Sequence, residues 1–169
     1  EIGKYGGTIR RGFKGVSDRW GPTKHNDRGL VWYDKDLVMQ PRMAESWEIN
    51  EDASEWTFHL RPGMKWSNGD PFDSDAFKWC WENRYMNETL YQSPHGDLST
   101  GSPREWGEMT FPDQHTFKIN YVHPKPMLLF GIGRERDMWI HGEYYGQFHE
   151  DFADPAELEK KITDAGFET

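Results

Sequence analysis

Cys80 is the only cysteine in 169 residues, so no disulfide can close within the chain. That absence leaves the redox compartment undecided. Long apolar runs are missing too. No stretch, Met127–Phe130 included, approaches the ~20 residues that a bilayer-spanning helix needs. Positive charge is scarce: 20 Lys and Arg face 29 Asp and Glu, for a net charge of -9. No basic run exceeds a pair such as Arg10-Arg11 or Lys160-Lys161. Nucleic acid and anionic membrane surfaces both select clustered Lys and Arg, so neither is an expected partner. No Gly-x-Ser-x-Gly motif occurs and no Ser/His/Asp arrangement stands out. Glu1-Ile2-Gly3-Lys4 is not a charged segment followed by an apolar core, although a mature or cloned start would look the same.

Aromatic residues are abundant instead: 9 Trp, 7 Tyr and 10 Phe within a hydrophobic share of only 35%. Large rings build a core from few residues, and they also line grooves for sugars and peptides, so the count alone does not choose. The sharpest local pattern is Trp56–Lys78. Trp56, Phe58 and Leu60 alternate with Thr57, His59 and Arg61, the period of a strand with one buried face. Pro62-Gly63 and Asn68-Gly69 are turn pairs, and Asp70-Pro71 stops the extended segment. Asp73 can cap a helix over Ser74–Met86, with Phe77, Cys80, Trp81 and Tyr85 on one face. There Cys80 reads as a core thiol and Trp81, with Trp66, as core.

The pattern predicts strands at Thr8–Arg11 and Leu30–Tyr33, then hairpins of Met43–Ile49 with Glu55–Arg61 and of Glu108–Phe111 with Thr116–Tyr121. Phe13–Arg28 and Asn87–Arg104 read as loops, and Trp139–Phe148 as helical. A last helix starts at Asp154-Pro155 and stops at Gly166. The first two strands lack evident partners, so either disorder or edge pairing with a neighbouring molecule, as a swapped dimer, is expected there.

Candidate chemistry is thin. His141, Tyr145 and His149 are four apart, but with Tyr in the middle they read as partly exposed helix histidines rather than metal ligands. Gly131-Ile132-Gly133 lacks the third glycine of a dinucleotide loop. Asp73 and Asp75 suit a helix N-terminus better than paired acid–base work. Asn87-Glu88-Thr89 fits the glycosylation sequon, a frequent chance match. No metal, cofactor or enzymatic activity is expected.

Three ordered blocks carry a resemblance: Pro41-Arg42-Met43-Ala44-Glu45-Ser46-Trp47-Glu48, Trp56-Thr57-Phe58-His59-Leu60-Arg61, and Lys65-Trp66-Ser67-Asn68-Gly69-Asp70-Pro71-Phe72. They are similar to the extracellular solute-binding proteins of ABC importers, family 5, the peptide- and nickel-binding group. Lys4–Arg10 also looks like the mature start of members, and Phe111–Phe117 like their second hairpin. There are departures: Asn68 replaces the usual Asp, and Ala76 stands where an acid would complete a capping box. Phe13–Arg28 looks shorter than the family's first loop and helix.

The resemblance implies an α+β, periplasmic-binding-protein-like fold: the N-terminal part of lobe one (1–40) and the subdomain inserted into it (41–169). Members are much longer, so this chain would be a fragment of a two-lobe binder that closes about a hinge. It implies capture of a peptide, oligosaccharide or chelate, delivery to an ABC permease, and a periplasmic or cell-surface location. By position, the ligand would meet Phe13, Lys14, Gly15, Val16, Tyr91 and Arg134. A rival reading from another class is a carbohydrate-adhesion module with Trp20, Trp32, Trp106 and Trp139 as stacking platforms. Burial of those tryptophans would count against it.

Overall fold

The alternation at Trp56, Phe58 and Leu60 becomes burial: the three side chains are 3%, 0% and 2% exposed. In the computed structural model, residues 29–132 and 138–167 are described, with Thr8, Arg10, Lys14 and Gly15. Strands β1 (Val31–Tyr33) and β2 (Met39–Pro41) form a hairpin. Strands β3 (Ala44–Ile49), β4 (Glu55–Leu60), β7 (Glu108–Asp113) and β8 (Thr116–Asn120) form an antiparallel sheet in the order β3-β4-β8-β7. Between them, β5 (Ser99–Thr100) pairs with β6 (Glu105–Trp106). The architecture is α+β.

One sheet face is apolar and is covered by helix α1 (Ser74–Cys80), which continues as a single wider π turn over Trp81–Tyr85. Phe77, Cys80, Trp81 and Tyr85 are buried, as the helical spacing predicts, and Ala76 is buried with them. Phe58 pairs with Phe117 in register and stacks on it at 5.1 Å, and Phe77 stacks on Phe117 at 4.5 Å. Asp73 caps α1 by accepting the Asp75 N–H at 3.0 Å. The β7–β8 turn grips the same helix end: Ser74 donates its N–H to Gln114 O and its hydroxyl to Asp113 O, while the Gln114 amide donates to Asp73.

Several expected boundaries move. The helix expected over Ser74–Met86 widens at Trp81, where Met86 N–H reaches Trp81 O, a five-residue step that keeps Trp81 and Tyr85 both buried. The loop expected over Asn87–Arg104 contains a 3₁₀ turn at Gly96–Leu98 and strand β5, too short to show a period. Trp139–Phe148 is helical only as α3 (Gly142–Gly146), which follows α2 (Leu128–Ile132) and precedes α4 (Pro155–Asp164). Asp154 and Gly166 bound α4 as expected.

Leu30–Tyr33 does not lack a partner. The Asp34 carboxylate accepts the N–H groups of Asp36 and Val38, both at 2.9 Å, and so folds β2 back onto β1. Leu30 O accepts from Arg42 and Ala44, and Leu30 and Val31 are fully buried in the main core. The argument for an edge-paired dimer through this strand falls with that pairing. Thr8–Arg11 lies outside the described residues apart from Thr8 and Arg10.

A polar knot ties the 96–106 excursion to the sheet. The Tyr121 hydroxyl donates to Asp97 O at 2.6 Å, and the Lys125 ammonium donates to Gly96 O and Ser99 O. Burial, with the Asp97 carboxylate beside it, pushes the Tyr121 phenol far above its ordinary value. Burial pulls Lys125 down, which Asp97 opposes.

Replacing Phe77 with Ala removes the ring between Phe117 and Phe72 and should cost about 3–5 kcal/mol in denaturant unfolding. The phenol gives a pH signature. Its folded pKa is raised, so its contribution is complete below the ordinary value of 10.0 and is lost as pH climbs beyond it. The unfolding free energy should therefore fall above pH ~10. Tyr121→Phe should lose about 1 kcal/mol near neutrality and flatten that alkaline slope.

Candidate functional site

The signature stretch after β4 makes a tight loop rather than a strand. Trp66 N–H donates to Asp70 O, Gly69 N–H donates to Trp66 O, and Gly69 takes φ +98°. That closure puts the Trp66 ring and the Asp70 carboxylate on the same lip. Trp66 is half-buried rather than core as expected: one side meets Phe72 at 4.9 Å and the other meets the His141 ring at 5.1 Å. Trp81 is buried as expected.

The His141 ring is held through both of its nitrogens. Its Nδ1 accepts the Tyr144 N–H at 3.2 Å, capping α3, so the neutral ring carries its proton on Nε2. That N–H donates to Asp70 Oδ2 at 2.8 Å. Asn68 donates to the same carboxylate. The histidine thus joins the Trp66 loop to α3 and is mostly buried. Among the described residues, no group of three or more His, Cys, Asp or Glu could hold a metal ion.

The wall opposite Trp66 is Trp79, on the outer side of α1. Gly142 lies flat against it: a Cβ there would stand 2.6 Å from Trp79 Cδ1. Phe152 and His149 close the far edge of Trp79 at 5.9 and 6.0 Å. Together these elements bound an open groove of about 1020 Å³. Neither Trp79 nor Gly142 was singled out by pattern. The available signal was the four-residue spacing of Gly142 and Gly146, which strips one face of α3. Gly131, in the weak dinucleotide motif, has a packing reason instead: a Cβ would collide with the Asp97 carboxylate.

Of the positional ligand residues, the described ones, Lys14, Gly15 and Tyr91, do not line this groove. Lys14 and Gly15 are exposed, Gly15 with φ +81°, and Phe13, Val16 and Arg134 lie outside the described residues. Tyr91 sits elsewhere, half-buried in a second aromatic cluster with Tyr85 at 4.9 Å and Trp106 at 6.3 Å, and Arg84 lies over both tyrosine rings. Of the tryptophans proposed as sugar platforms, the three described ones have separate surroundings. Trp106 packs edge-on against Trp81, Trp139 packs against Phe72 and Phe77, and Trp32 is 45% exposed. Trp20 lies outside the described residues.

The fold is that of a solute-binding protein. The whole chain superposes on 26% of an oligopeptide-binding protein OppA, with TM-score 0.84 and 28% identity. Residues 38–165 match the model of the bacterial extracellular solute-binding proteins, family 5 (middle), and the chain belongs to that family. It is 35% identical over 112 residues to the periplasmic oligopeptide-binding protein OppA of Haemophilus influenzae, covering 58% of this chain and 20% of that protein. It is 34% identical over 103 residues to the periplasmic alpha-galactoside-binding protein of Rhizobium meliloti, covering 51% of this chain and 14% of that protein. The chain thus spans a fifth or less of the length of these two relatives.

Gly142→Ala should force the Trp79 ring off its seat, costing about 1–3 kcal/mol and shifting tryptophan emission. An unchanged melting temperature would contradict the close approach.

Proposed function

We propose that this chain belongs to the ligand-capturing component of an ABC importer that takes peptides or another oligomeric solute. The observation that carries this reading is the superposition of the entire chain on an oligopeptide-binding protein. The relatives' names span oligopeptides, dipeptides, nickel and alpha-galactosides, so they support the class of binder more than one solute. Binding rather than enzymatic turnover is the proposed role, with a periplasmic or cell-surface location and a membrane permease as partner.

In this reading residues 1–40 belong to lobe one and 41–169 to the subdomain set into it. The start of the family match at residue 38 supports that division. Phe13, Lys14, Gly15, Val16, Tyr91 and Arg134 are the proposed solute contacts. The exposed Lys14-Gly15 bend supports the first of these segments. The adhesion alternative is weakened by the packing of Trp106 and Trp139 into the core's margin.

A segment exchange tests the proposal. Residues 38–165 would replace the matching segment of the Haemophilus influenzae OppA, and peptide binding would be read by calorimetry. The chimera is expected to melt cooperatively and bind peptide within about tenfold of its parent. A cooperatively folded chimera without peptide binding would overturn the reading. Retention of the present chain on a polysaccharide column, abolished by Trp32→Ala, would favour the adhesion module instead.

A further inference from the structure

We propose that Asn68-Gly69 is a deamidation site, and that the clamp made by Asp70 and His141 sets its rate. With the loop closed, residue 68 stays asparagine. With the loop open, water converts that residue to aspartate or isoaspartate. The inference does not depend on which solute the protein takes.

The chain has six asparagines, and Asn68 alone precedes a glycine. Glycine has no Cβ, so no side chain shields the next backbone nitrogen. Both residues are exposed, and the space beside Gly69 is open, so water reaches the pair. In the reaction Gly69 N gives up its proton and attacks Asn68 Cγ. The Cγ–Nδ2 bond breaks and ammonia leaves with that proton. Water then opens the cyclic imide at either of its two carbonyl carbons. One opening gives aspartate, and the other gives isoaspartate.

In the closed loop every reacting group is engaged. Gly69 N–H donates to Trp66 O at 3.0 Å. Asn68 Oδ1 accepts the Asp70 N–H at 3.1 Å, and its Nδ2 donates to the Asp70 carboxylate. That Nδ2 also lies 3.1 Å from His141 Nε2, which itself donates to Asp70 Oδ2 at 2.8 Å. His141 is anchored in turn by the Tyr144 N–H. Attack therefore requires Gly69 to leave Trp66 and Asn68 to leave Asp70. Such a local opening has its own free energy, separate from global unfolding. Either product alters the lip of the groove. Aspartate removes the donor that now meets Asp70 and sets two carboxylates face to face. Isoaspartate adds a methylene to the backbone inside the loop that positions Trp66 against His141.

The test incubates the full chain at neutral pH in heavy-oxygen water and maps its peptides by mass spectrometry. In urea, position 68 should convert first among the asparagines. In the folded chain it should convert at least about tenfold more slowly, the factor for an opening free energy of ~1.4 kcal/mol. His141→Ala should speed the folded chain about fivefold, the factor for a hydrogen bond of ~1 kcal/mol. Asp70→Asn leaves the loop's backbone donors and acceptors in place and should act in the same direction. It decides the matter if His141→Ala does not melt cooperatively. Below the unfolding transition the rate should hardly rise with urea, because opening one loop exposes little surface. The proposal fails if folded and unfolded chains convert equally, if another asparagine converts first, or if the cooperatively folded variants convert at the wild-type rate. A folded-chain rate that tracks global unfolding across urea would overturn the clamp.

Discussion

Phe58, Phe117 and Phe77 hold the sheet to its helix. Phe58 and Phe117 sit opposite each other on β4 and β8, and Phe77 on α1 lies flat on Phe117 at 4.5 Å. All three side chains are fully buried. The sheet can bury only one face, so the helix must reach that face at this point or the apolar side of four strands stays wet. The contact then propagates outward through rings: Phe77 to Phe72 at 5.8 Å, Phe72 to Trp66 at 4.9 Å, Trp66 to His141 at 5.1 Å. Each ring fixes the next, so the lip of the groove is set by the centre of the core. Loss of the first contact would reach the last one without touching it.

Turns and caps decide where that lattice begins. Ser74 and Asp73 are tied to Asp113 and Gln114, so the β7–β8 turn and the start of α1 form one polar joint at the sheet's end. Backbone N–H groups of a helix start are otherwise orphaned, and burying them unpaired is costly. The joint satisfies them while it orients Phe77. At the opposite end, Tyr121 and Lys125 do the same for the 96–106 excursion with two backbone-directed groups. A low hydrophobic share suffices here because the rings are large and the polar groups at these two joints are bonded, whereas Trp56 Nε1, His115 Nδ1 and His149 Nε2 are buried without a hydrogen-bond partner among the described residues.

Legibility in the sequence followed the length of the pattern. Strands β4 and β8 and helix α1 have periods long enough to read, and the apolar residues the pattern names are buried, although Thr57 and Thr116 on the other side of the alternation are buried as well. The aspartate caps at Asp73 and Asp154 were equally plain, because side-chain capping is a local rule. Strand β2 was hidden, since Met39-Gln40-Pro41 is three residues long and its pairing depends on Asp34 closing a turn. Trp66 looked like core because an aromatic before an amphipathic helix can cover it. The sequence does not say that Phe72 already fills that place, leaving Trp66 on the rim. The groove was invisible for a related reason: it is made by what Gly142 and Gly146 omit, and an absent side chain has no period.

The two aromatic clusters also differ in how they are finished. Around Tyr85, Tyr91, His95 and Trp106 the rings stand against one another and Arg84 lies over them, so that cluster is closed by its own chain. Around Trp66 and Trp79 the rings are closed by Phe72, His141, Gly142 and Phe152, and the neighbouring charges are mostly carboxylates. The one lysine lining that groove is held by Gln147, in a chain of net charge -9. An acidic surface of this size favours solubility and resists self-association.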